Sequence, residues 1–77
     1  MKVNVNLYVN LKKYAPEGNN SFDVQLESGV TVKAVLEVLK IPRDEKVIVL
    51  DNGRNAGESS PLKEKDTVTL YSPLSGG

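Results

Sequence analysis

The chain has 77 residues, with ten Lys+Arg against ten Asp+Glu, no His, no Cys and 39% apolar side chains. A chain this short buries only about 60% of its unfolded surface and holds roughly 3 to 5 kcal/mol of net core stability, which argues against a deep, self-contained active-site cleft. Without Cys there is no disulfide framework, thiolate nucleophile or zinc-thiolate knot, and without His the side chain best suited to acid/base work near neutral pH is gone. A formal charge of zero argues against a nucleic-acid partner, whose binding depends on neutralising phosphates. The longest apolar run, Val47 to Leu50, is far short of the roughly 20 residues that span a bilayer, and Met1 to Asn6 alternates instead of forming a signal-peptide core. We therefore expect one soluble, cytoplasmic domain with no membrane partner, whose chemistry does not come from ordinary catalytic side chains.

From Lys2 to Val9 the pattern alternates, with Val3, Val5, Leu7 and Val9 on one face and Lys2, Asn4, Asn6 and Tyr8 on the other, as in a half-buried strand. Pro16 to Asn20 is dense in turn formers, and Ser21 to Glu27 alternates again with Phe22, Val24 and Leu26 inward, so the first two strands are expected to form a long-looped hairpin. The period then changes to 3.6. Thr31 is a candidate N-cap, and Val32, Val35, Leu36 and Leu39 make one apolar stripe of a short helix that Ile41-Pro42 should end. Val47 to Leu50 suits a strand buried on both faces, and Asn52-Gly53 is a hairpin turn signal leading into a short segment from Arg54 to Ala56. Pro61-Leu62 with Lys63 to Asp66 reads as a turn anchored by one apolar side chain. Thr67 to Tyr71 is a last strand with Val68 and Leu70 inward and Tyr71 outward. The expected order is β-β-α-β-(short β)-β over residues 1–71, followed by an extended tail over residues 72–77.

Residues 67–77 contain no side chain charged near neutral pH, so with Gly77 as the carboxyl terminus the group charged there in this segment is the terminal carboxylate. Pro73 stiffens the exit from the strand, while Gly76 and Gly77 lack a Cβ. Such a thread can present a carboxylate in a narrow channel of a partner. A free carboxylate is a poor electrophile, but an acyl-adenylate is a mixed anhydride open to sulfur and nitrogen nucleophiles, and a final glycine keeps its carbonyl accessible. The alternative is an inert, disordered stub of small residues.

Leu7 to Pro16, Gly29 to Leu36, Asn52-Gly-Arg54, Pro61 to Asp66 and the terminal Gly-Gly follow one another in an order that resembles the MoaD/ThiS family of ubiquitin-like sulfur carriers, and the resemblance covers essentially the whole chain. It implies an α+β, ubiquitin-like β-grasp fold: a mixed sheet of about four to five strands gripping one helix, with the first and last strands adjacent and parallel at its centre, and a flexible Gly-Gly tail. It also implies a carrier and not an enzyme. Gly77 would be adenylated by a ubiquitin-activating-like enzyme using ATP and magnesium, with no cofactor bound by the chain itself. It would then be converted to a thiocarboxylate with sulfur from a sulfurtransferase, and would donate that sulfur to the large subunit of molybdopterin synthase or to thiazole synthase. The long first segment, Leu7 to Pro16, is nearer the molybdopterin-type small subunits. Ser72 to Ser75 departs from the tails common in the family. A ubiquitin-like modifier joined to lysines would use the same activated Gly77, and an interaction module with an inert tail is the third class.

Within this reading Gly77 is the covalent site, and Gly76, Ser75, Leu74 and Pro73 present it. Leu74 and Pro73 are expected to grip the partner, Leu74 alternatively folding back on its own domain. Tyr8 and Tyr71 share the outward face and are expected to dock a partner, or else to shield one another as a cross-strand pair. Arg54 is equally suited to a surface ion pair or to an acidic loop of a partner. The carboxylates Asp44, Glu45, Glu64 and Asp66 sit among lysines in polar loops and are expected to be solvated. No metal ligand set is expected.

Overall fold

The alternation of Val3, Val5 and Leu7 builds β1 (Lys2–Tyr8) as a strand that buries one face completely. The computed structural model describes residues 1–73; Leu74, Ser75, Gly76 and Gly77 lie outside the described residues. β1 stops at Tyr8, one residue earlier than the alternation suggests, because the chain turns into a 3-10 segment over Val9–Tyr14, followed by a second over Pro16–Gly18. Leu11, placed by the first of these, is fully buried. β2 (Ser21–Gln25) then returns antiparallel to β1, with Val3 opposite Val24 and Val5 opposite Phe22.

α1 (Val32–Val38) presents Val32 and Val35 to the core, with Leu36 and Leu39 partly buried beside them. Thr31 occupies the N-cap, yet its side chain makes no capping hydrogen bond. The free donors of the first turn go instead to the loop at residues 58–60: the Val32 N–H reaches the Ser60 carbonyl at 3.0 Å and the Lys33 N–H the Glu58 carbonyl at 3.0 Å. The helix also ends ahead of Ile41-Pro42. Lys40 adopts φ 59°, its N–H bonds the Glu37 carbonyl at 3.0 Å, and the Ile41 N–H bonds the Leu36 carbonyl at 3.0 Å. This is a Schellman closure, in which a left-handed residue satisfies the last carbonyls and Ile41 folds back on the helix. A lysine here carries a backbone cost that glycine would not.

β3 (Ile48–Asp51) and β4 (Arg54–Ala56) form a hairpin around Asn52-Gly53, both at positive φ (54° and 86°), as a type I′ turn requires. Burial of Val47 to Leu50 on both faces does not hold. Val49 is buried, but Val47, Ile48 and Leu50 are only partly so, because one helix covers one face of the sheet and leaves the other open. β5 (Thr67–Tyr71) is the last strand, with Val68 and Leu70 fully buried.

The strand order is β2-β1-β5-β3-β4, with β1 and β5 parallel at the centre and every other pairing antiparallel. This is the mixed sheet around one helix that the family resemblance implies. Leu62 is buried beneath the loop entering β5, and the Leu62 N–H bonds the Val30 carbonyl at 3.1 Å, tying that loop to the start of α1.

Lys40→Gly removes the left-handed penalty without touching a buried contact. It should stabilise the fold by about 1 kcal/mol, read as a higher urea midpoint with an unchanged slope.

Candidate functional site: the open sheet face beside the C-terminal exit

β5 runs through the sheet centre and delivers the chain to Ser72 and Pro73 at one end of it. At that end, Tyr8 of β1 pairs in register with Tyr71 of β5, which pairs in register with Ile48 of β3. Register partners share a face, so the three form a row across the uncovered side, and Tyr8 is 50% exposed. The next outward row contains Asn6, Thr69, Leu50 and Asn55. The open face is thereby divided, with Tyr8, Tyr71, Ile48 and Leu50 making it apolar where the tail leaves.

Away from the exit the same face is polar and internally bonded. The Asn6 amide donates to Asn4 Oδ1 at 3.0 Å, the Asn4 amide donates to Asp23 Oδ1 at 3.2 Å, and Lys2 Nζ lies 3.9 Å from Asp23 Oδ2. An Asn-rich network of this kind holds side chains in place and adds little affinity for an apolar partner. The structure thus brings Tyr8 and Tyr71 together beside the tail. Ile48 and Leu50 join them, although their sequence shows only a short apolar run that carries no record of which face is covered.

Arg54 stands apart from this patch. It opposes Asp51, which opposes Val68, so it lies three residues of strand, about 10 Å, from the Tyr71 row and on the opposite face of the pleat. Pro73 is exposed at the exit, whereas the expectations for Leu74, Ser75, Gly76 and Gly77 fall outside the described residues.

One expected solvated carboxylate proves to be buried. Asp66 is only 3% exposed and organises the corner below β3 and β5. It accepts the Lys63 N–H at 2.8 Å and the Asn52 amide at 2.9 Å, while Asn52 Oδ1 accepts the Thr67 N–H at 2.9 Å. Beside it, Asp51 has a buried Oδ1 without a donor. Burial, then the Asp66 charge and a hydrogen bond shared with Asp66, push the Asp51 carboxyl above its usual range, only partly offset by Lys63. Burial alone would raise Asp66 too, but the Lys63 N–H, the Asn52 amide and Asp51 all favour its charged form, and the net shift is downward. On acidification the proton therefore goes to Asp51 before Asp66. Its only sequence signal is the short loop between Leu62 and β5, where a side chain that caps backbone N–H groups is useful. Among the described residues, no group of three or more His, Cys, Asp or Glu is placed to hold a metal ion, and no helix is long and apolar enough to cross a membrane.

A mixed sheet gripping one helix, with parallel central strands and a last strand leading to the C-terminal exit, defines a ubiquitin-like β-grasp protein. The chain belongs to the ThiS family, which it matches over residues 5–77, and so stands among the ubiquitin-like sulfur carriers and modifiers. Its fold is similar to that of SAMP1 from Haloferax volcanii (TM-score 0.81, 23% identity, covering 100% of both chains). A putative molybdopterin converting factor subunit 1 from Pyrococcus furiosus is similar at TM-score 0.79 and 23% identity, over 95% of this chain and 98% of that one. The complex of subunits 1 and 2 of molybdopterin-converting factor from Helicobacter pylori supplies another likeness (TM-score 0.67, 19% identity, covering 100% of both chains). Comparison with curated protein sequences gives no match.

The raised carboxyl of Asp51 sets a pH dependence. Because its folded value lies above the unfolded one, its contribution is present at acid pH and is lost as pH rises through the raised value; Asp66, with a lowered value, contributes above the ordinary carboxylate range and loses its contribution on acidification. Asp51→Asn should therefore stabilise the protein at neutral pH, with the gain shrinking toward zero below the Asp51 transition in a pH series of urea midpoints. Asp66→Ala strands the Asn52 amide and the Lys63 N–H and should cost about 3 kcal/mol at neutral pH.

Proposed function

We propose that this protein is a sulfur carrier for molybdopterin formation, acting as a cosubstrate of partner enzymes and supplying no catalytic side chain. The observation that carries this reading is the chain's membership of the ThiS family through residue 77, combined with a central last strand that leads to the tail beside an apolar patch. In the proposed cycle the Gly77 carboxylate attacks ATP at its α-phosphorus in a partner of the ubiquitin-activating type, which holds ATP and magnesium. The products are the acyl-adenylate and pyrophosphate. A persulfide on a sulfurtransferase displaces AMP to give an acyl disulfide. A partner thiol then cleaves the sulfur–sulfur bond, leaving the Gly77 thiocarboxylate and a disulfide on the partner side. The chain has no Cys, so all three sulfur atoms of that exchange come from outside it.

The patch of Tyr8, Tyr71, Ile48 and Leu50 supplies docking energy next to the tail, where it would bring Gly77 into a partner's active site with little freedom lost on the final approach. Pro73 and Leu74 would extend that grip, with Ser75 and Gly76 serving as the narrow stem. The similarity to a molybdopterin-converting factor complex favours the large subunit of molybdopterin synthase as the acceptor over thiazole synthase. The similarity to SAMP1 favours a second reading, a modifier joined to lysines through the same activated Gly77. Arg54, on the other face and at the other end of the sheet, would meet a partner only if that partner wraps around the β3–β4 edge.

Intact mass measurement of the protein from its native cell tests the central reading: the expected product carries sulfur in place of one oxygen at the terminus, and this signal is lost on deletion of Gly77. A ladder of larger lysine conjugates without that exchange would overturn the carrier reading in favour of the modifier. Tyr8→Ser combined with Tyr71→Ser should weaken binding to the adenylating enzyme roughly tenfold or more, about 1.4 kcal/mol, while changing the urea midpoint little; unchanged affinity would show that the patch is not the dock.

A further inference from the structure

β2 is an edge strand, and among the described residues no strand pairs with its outer hydrogen-bonding side. Leu26 and Met1 exchange backbone bonds of 2.7 and 2.6 Å, and the Leu7 N–H bonds the Asn20 carbonyl at 2.8 Å. Counting by twos along the antiparallel register, the backbone groups of Phe22 and Val24 face β1 and those of Ser21, Asp23 and Gln25 face outward. Three residues thus offer N–H and C=O groups at the period of a strand. Unpaired edges are usually blunted by charged side chains, a bulge, an edge proline or a covering segment. Within Ser21–Gln25 there is neither proline nor bulge, the register with β1 is unbroken, and the one charged side chain, Asp23, lies 3.9 Å from Lys2 Nζ.

Alongside this edge, on the helix side, runs a trough of about 430 Å3. Phe22 and Val24 of β2, Val38 of α1, the C-cap Leu39 and Tyr14 line it. Val38 is 53% exposed, an unusual setting for a valine on the last turn of the only α-helix among the described residues. Lys40 stands on the rim at φ 59° and has no ion-pair partner within 4.0 Å among the described residues.

The geometry points to β2 as a strand-addition site for an extended segment of another protein. That segment would carry aliphatic side chains at alternate positions facing the trough and an acidic residue beside Lys40. The backbone period dictates an extended occupant, because only a strand presents matching donors and acceptors to Ser21, Asp23 and Gln25 together. The trough accepts alternate side chains of that strand, and the unpaired lysine selects a carboxylate. A second copy of this chain fits less well. Full two-fold pairing of β2 with itself places Asp23 opposite Asp23, and like charges directly opposite destabilise a ladder. The site lies at the sheet edge opposite β4 and does not depend on the tail, so a protein docked on the Tyr8 and Tyr71 patch would leave it open.

The test uses the full-length 15N-labelled protein and the blocked peptide Asp-Ile-Thr-Val-Thr-Val-Asp as probe. The expected result is a saturable shift of the Ser21, Asp23 and Gln25 amides, with slowed exchange of the same three. Gln25→Pro, which removes an outward N–H while sparing the ladder to β1, and Val38→Glu, at an exposed position, should each weaken binding roughly tenfold. Lys40→Glu should weaken this peptide several-fold but leave unchanged a version ending in Asn. Deleting Gly76 and Gly77 should leave peptide binding intact, which separates this proposal from the carrier reading. No shift at millimolar peptide, shifts confined to the Tyr8 and Tyr71 face, or edge shifts that follow protein concentration without peptide would each overturn it. Should Gln25→Pro disturb the strand, Val38→Glu alone decides.

Discussion

The parallel pairing of β1 with β5 is the contact on which the rest of the molecule depends. It joins the two ends of the chain: Val5 sits opposite Val68 and Leu7 opposite Leu70, and all four are fully buried. Each such side chain contributes about 1.5 to 3 kcal/mol of transfer free energy, so this seam holds a large share of what a domain of this size can gather. Everything else attaches to it. β2 and β3 flank it on either side, α1 covers its inner face through Val32 and Val35, and Asp66 locks the entry to β5 by capping the Lys63 N–H and holding Asn52.

The same seam suits the proposed carrier role, which needs the end of the chain presented to a partner and not a catalytic pocket in this domain. A last strand held between two neighbours cannot fray easily, so the point at which the chain leaves the sheet is rigid, whatever conformation the uncharged residues beyond it adopt. Stability and presentation are therefore the same feature. The apolar half of the open face occupies the end of the sheet where Tyr8, Tyr71 and Ile48 line up, and the polar half is occupied by an Asn and Asp network satisfied within the domain. For the proposed dock, such a division would favour one orientation over sliding, because a partner shifted along the strands would cover bonded amides in place of rings and aliphatic groups.

Smaller corrections share one physical origin. Helix α1 is capped at its start by carbonyls from residues 58–60 and at its end by a left-handed Lys40, neither of which local propensity rules single out. The Thr31 hydroxyl is not needed for capping because the loop at residues 58–60 supplies the carbonyl acceptors. Asp66 reads as one more charged loop residue, yet it is buried because the loop folds inward over Leu62 and its N–H groups require an acceptor. Val47 to Leu50 reads as a doubly covered strand because hydrophobicity alone does not say how many layers a fold has; with one helix, only one face is covered.

The sequence by itself determined the period of each element, the turn at Asn52-Gly53, the inward residues Val3, Val5, Leu7, Val68 and Leu70, and the uncharged terminal segment, because these follow from local stereochemistry and from which side chains leave water. It also carried the ordered motifs that mark the family. Only the tertiary structure decided that Ile48 and Leu50 join Tyr8 and Tyr71 beside the exit, that Arg54 lies away from them, that Leu11 and Asp66 are buried, and that no described strand pairs with the outer edge of β2. Each of those facts depends on which distant segment comes to rest against a residue, and a strand's own pattern is the same whether its second face meets a helix, a partner or water.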